Sequence, residues 1–78
     1  MLNDKTDNGL RIFSPKRNTV RVEGLSQDDL ITIYSVSGAT VTCRVASSSV
    51  EQFTVAVDGV VLVEVKHNGK VVVKKIRV

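Results

Sequence analysis

Seven short runs rich in Val, Ile and Thr, each stopped by Gly, Pro, Ser, Asp or Asn, constrain this chain more than anything else in it. The runs recur about every ten residues, which is the spacing of strands in a small β-sandwich. Val, Ile and Thr supply 26 of the 78 residues. Side chains branched at Cβ crowd a helix and fit a pleated sheet. No segment carries a 3.6-residue apolar period, so the chain reads as all-β, a sandwich of two antiparallel sheets. Its length allows one domain, with a core too thin to hold a deep cleft as well.

The runs themselves predict the strands. Residues 1–9 are polar and read as a flexible lead-in without the apolar stretch of a secretory signal, and the domain runs from 10 to 78. Leu10–Phe13 is the first strand, stopped by Ser14-Pro15. Thr19–Glu23 follows, with Val20 and Val22 on one face, and Gly24 ends it. Leu25 is expected to tuck inward. Leu30–Val36 places Ile31 and Ile33 inward, with Thr32 and Tyr34 on the other face, and Ser37-Gly38 makes a tight connection. Thr40–Ala46 alternates most cleanly, so Val41, Cys43 and Val45 are expected inside and Thr40, Thr42 and Arg44 outside. Val50–Val57 points Phe53, Val55 and Val57 inward.

Val60–Lys66 and Val71–Val78 flank Asn68-Gly69, the strongest short hairpin signal in the chain, because both turn residues tolerate positive φ. Its register stays open. A two-residue turn sets Val65, Val63 and Val61 opposite Val72, Lys74 and Ile76, aiming Lys74 toward the core. A three-residue loop bulged at Gly69 pairs Val65 with Val71 and Val63 with Val73 instead.

Chemistry is scarce. His67 stands beside the turn with no second ligand or nucleophile in prospect and reads as a solvent-facing turn residue. Cys43 reads as a small core residue, and a lone Cys makes no internal disulfide. Asp28-Asp29 reads as a turn, since calcium wants six or more oxygens and no second acidic cluster lies near. The five Gly are scattered singly, so there is no phosphate loop. No run approaches 18 apolar residues, which excludes a membrane-spanning helix. Neither an enzyme nor a cofactor is expected.

Charge is uneven. Lys66, Lys70, Lys74, Lys75 and Arg77 fall in the last thirteen residues with no acid among them, while the first 65 residues are slightly acidic. This tail has no aromatic for base stacking, so nucleic acid is a poor partner, and lysines on an edge strand also oppose aggregation.

From Arg11 onward the chain resembles the C-terminal sorting domain, type A, of the type IX (Por-type) secretion system of Bacteroidetes-type bacteria. Leu10-Arg-Ile12-Phe13-Ser14-Pro15 is similar to that family's opening strand and proline, and Val20-Arg-Val22-Glu-Gly24-Leu25 to its second strand and turn. Ile31-Thr-Ile33-Tyr34-Ser35-Val36-Ser37-Gly38 carries the most specific likeness, through Ile33, Tyr34 and Gly38. Asp58-Gly59-Val60-Val61-Leu62-Val63-Glu64-Val65, then Gly69-Lys70 and Lys74-Lys75-Ile76-Arg77-Val78, are similar to its late strands and basic-apolar finish.

The resemblance implies a seven-stranded, immunoglobulin-like sandwich on the end of a larger exported passenger. Apart from the resemblance, this chain is expected to be a monomer. It implies docking on outer-membrane secretion machinery through Lys70, Lys74, Lys75, Ile76, Arg77 and Val78. The expected route runs from the periplasm to the cell surface or medium, with the domain removed by a peptidase cutting upstream of it. The rival expectation is an immunoglobulin-like structural or adhesive module of a cell-surface protein that binds a glycan or another protein.

Overall fold

The computed structural model describes residues 9–78, so most of the lead-in at 1–9 lies outside the described residues. Seven strands form, and no helix does among those residues. They are β1 (Arg11–Phe13), β2 (Thr19–Glu23), β3 (Leu30–Ser35), β4 (Thr40–Val45), β5 (Val50–Thr54), β6 (Val60–His67) and β7 (Lys70–Arg77). They make an antiparallel sheet ordered β1-β2-β5 and a second ordered β4-β3-β6-β7. The expected sandwich of two antiparallel sheets is what the chain forms.

Parity builds the core. Ile12, Val20, Val22, Ile31, Ile33, Phe53, Val55, Val61, Val63 and Val65 take alternate positions on their segments, and all are buried. Leu10 and Leu25 join them from just outside the strands. Each such side chain contributes about 1.5–3 kcal/mol by leaving water, so a domain this small depends on nearly all of them.

Two glycines set the chain path. Gly24 sits at φ +86°, and a Cβ there would overlap the carbonyl oxygen of Gly9. Only a residue with no side chain lets the segment entering β1 pass that close. At the β6–β7 connection Asn68 (φ 51°) and Gly69 (φ 77°) both occupy the left-handed region, as a two-residue type I′ turn requires. The register follows: Val65 faces Val72, Val63 faces Lys74 and Val61 faces Ile76. Of the two pairings left open by the sequence, the tight turn holds and Lys74 lies on the core side, half-buried.

One strand departs from expectation. β4 pairs with β3 through a bulge between Ile33 and Tyr34, where Thr42 lies opposite Ile33 and Thr40 opposite Tyr34. Val41 is the extra residue, and it still packs against the core. Beyond the bulge the parity inverts. Cys43 and Val45 pair with Thr32 and Leu30 and are exposed, so neither is the core residue its alternation suggested. Thr42 and Arg44, expected outside, stand opposite the buried Ile33 and Ile31. A single inserted residue suffices, because side chains on a strand alternate faces.

Candidate docking surface on the C-terminal hairpin

The described residues enclose no pocket, and no three of their His, Cys, Asp and Glu side chains converge to share a metal ion. What the fold displays instead is a strand. β7 is the outermost strand of the four-stranded sheet and, at eight residues, the longest of the four edge strands. The others are β1, β4 and β5, with three, six and five residues.

The two faces of β7 differ. Val72 is buried, while Lys74, Ile76 and Val78 are half-buried on the core side, with Ile76 and Val78 packed against the core itself. Val71, Val73, Lys75 and Arg77 point the other way and are exposed, the two valines at 57% each. Of the residues expected to recognise a partner, Lys70, Lys75 and Arg77 are therefore free at the surface. Ile76 and Val78 serve chiefly to hold the strand on the body. Among the described residues the ion pairs engage Arg11, Arg21, Arg44 and His67, and none engages Lys66, Lys70, Lys74, Lys75 or Arg77. Among the described residues, then, no ion pair ties down the cations of the tail.

The hairpin is anchored by a pair that the sequence did not announce. His67, expected in solvent, is buried, and its Nδ1 lies 2.5 Å from Oδ2 of Asp29, which is buried as well. The same Asp29 oxygen accepts the backbone N–H of Ser26 at 2.8 Å, and the side-chain amide of Asn68 lies 3.2 Å from His67 Nε2. Asp29 is thus a structural clasp on the end of β6 rather than a plain turn residue. Parity was the missed signal: Val61, Val63 and Val65 face inward, and two residues further on so does His67. The Asn68-Gly69 turn beside it points to solvent instead.

The motif residues of the resemblance lie apart. Ile33 is fully buried, and Gly38, Gly59 and Gly69 occupy left-handed turn positions on different loops. Tyr34 lies on the outer face of the sheet, where its hydroxyl donates to Oε1 of Glu64 at 3.2 Å. Desolvation first, and the Glu64 carboxylate second, push the phenol above its ordinary range and keep it a donor.

Arg44 does the opposite of what the β7 cations do. It turns over the ring of Phe53 at 4.6 Å and pairs with Glu51 at 3.5 Å. Glu51 also accepts the backbone N–H of Ser47 at 3.0 Å. That bond is the main cause holding its carboxyl below the usual range, with the Ser47 hydroxyl and Arg44 adding to it. Comparison with known proteins returns no match: no family model, no curated protein and no solved structure is significantly similar to the chain.

Proposed function

We propose that this chain is a non-catalytic recognition domain, read by protein partners through its C-terminal hairpin. We further propose that its role is that of a type IX-like sorting domain, exporting and anchoring a larger passenger. One observation carries the reading. The five cations of residues 66–78 gather on one hairpin of the four-stranded sheet, without an ion-pair partner among the described residues. Like charges held together resist compaction, and here they give the fold no ion pair; they do steer an acidic partner toward the strand.

The test fuses residues 10–78 to a reporter in a host that has the type IX machinery. Wild-type fusion is expected at the cell surface or in the medium. A fusion carrying Lys75→Glu and Arg77→Glu, both at exposed positions, is expected to stay in the periplasm. Retention of the wild-type fusion, or equal export of the two, contradicts the sorting role.

A further inference from the structure

We infer that the free edge of β7 accepts an extended acidic segment of a partner protein as an additional antiparallel strand. The inference rests on the reading of the hairpin as a docking element, and it names what docks there.

Backbone parity is the first observation. The N–H of Val78 donates to the carbonyl of Gly59 at 2.7 Å, one step beyond the Val60–Arg77 pair. In an antiparallel ladder alternate residues bond across, so Lys70, Val72, Lys74, Ile76 and Val78 turn their backbone groups toward β6. Val71, Val73, Lys75 and Arg77 turn theirs toward the open edge. No described residue bonds to them there.

The second observation concerns the side chains of the same four residues. They form one exposed row, apolar at Val71 and Val73 and basic at Lys75 and Arg77. Lys74 adds a cation on the opposite side of the strand. An incoming strand therefore finds main-chain partners along the edge, apolar contact near the turn and positive charge toward residue 78. Its own side chains on the outer face should be apolar beside Val71 and Val73, and acidic beside Lys75 and Arg77. Run antiparallel, it reads acid, x, acid, x, apolar, x, apolar from its N-terminus.

A second copy of this chain is the poorer occupant. Pairing β7 with β7 along its whole length would set Lys74 opposite Lys74 and Lys75 diagonal to Lys75, and would join two edges that both carry net positive charge, which is destabilising. The charges that bar self-pairing are the ones that admit an acidic strand.

The experiment uses the 78-residue chain and two blocked peptides, Glu-Thr-Glu-Thr-Val-Thr-Val and its counterpart with Lys at both Glu positions. Amide hydrogen exchange by NMR is the readout, with peptide affinity by fluorescence anisotropy. Only the Glu peptide is expected to bind, slowing exchange at Val71, Val73, Lys75 and Arg77. Val73→Pro removes one free-edge donor without touching a bond to β6, and it should weaken binding at least about tenfold. Should that variant misfold, Lys75→Glu with Arg77→Glu leaves both faces of the ladder intact and is expected to abolish preference for the Glu peptide. Equal binding of the two peptides, or no binding, overturns the inference. So does concentration-dependent protection of those amides in the chain alone, which marks a second copy. Export of the reporter fusion with no peptide binding removes the acidic-strand partner and leaves the sorting role standing.

Discussion

The four-stranded sheet has two edges, and they are built on opposite plans. At β4 the strand is bulged, and Arg44 folds over Phe53 to reach Glu51 on the neighbouring sheet. At β7 the register runs unbroken from Lys70 to Arg77, and the cations stand free of ion pairs among the described residues. A bulge and an inward-turned charge are ordinary ways to spoil an edge for pairing. Only one edge has both. The contrast teaches that this fold has the means to close an edge and leaves its longest one straight.

The sharpest way to break the contrast is to put proline at adjacent positions of β7. Val72→Pro deletes a bond to Val65 and disturbs a buried side chain, and a loss of about 3 kcal/mol or more in urea unfolding is expected. Val73→Pro should cost less than half of that, because its N–H faces the open edge. Equal losses would mean that β7 is not an edge.

The anchoring of the open strand comes next. Asp29→Ala leaves the Ser26 N–H and the His67 ring without their buried acceptor, and about 2–3 kcal/mol should be lost in the same measurement. Hydrogen exchange should show the end of β6 loosening before the three-stranded sheet does.

The closed edge is sharpened by acid. Glu51 has a carboxyl below the ordinary 4.5 when folded, so the unfolded chain takes up the proton first as pH drops. Its contribution is fully present above about 4.5 and is lost as pH falls through the folded value. Glu51→Gln should flatten that part of the stability profile. Glu23, lowered chiefly by Arg21, supplies a further slope of the same sign. The smallest effect belongs to Arg44→Ala, a half-exposed cation whose ring contact and ion pair are together worth about 1 kcal/mol.

Most of the architecture was legible from parity alone, because strands that bury one face must alternate. Val20 and Val22, Ile31 and Ile33, and Phe53 and Val55 all lie where their alternation put them. Cys43, Val45 and Arg44 do not, since nothing local in Thr40–Ala46 marks the bulge. The bulge arises from pairing with β3, a non-local fact. His67 was legible in principle by counting from Val61, and Asn68-Gly69 beside it suggested solvent instead. Its partner Asp29 was not legible, for the two are 38 residues apart. The docking strand fell between these cases. The basic run showed in the sequence, but which of its residues point outward depended on the turn, and Asn68-Gly69 decides that only once both φ values are known to be positive.

Amide exchange along β7 in the chain alone tests the open edge most directly. Val72, Lys74, Ile76 and Val78 should exchange slowly and Val71, Val73, Lys75 and Arg77 fast, in strict alternation. Uniform protection along the strand would show that the edge is already covered, and would contradict the account.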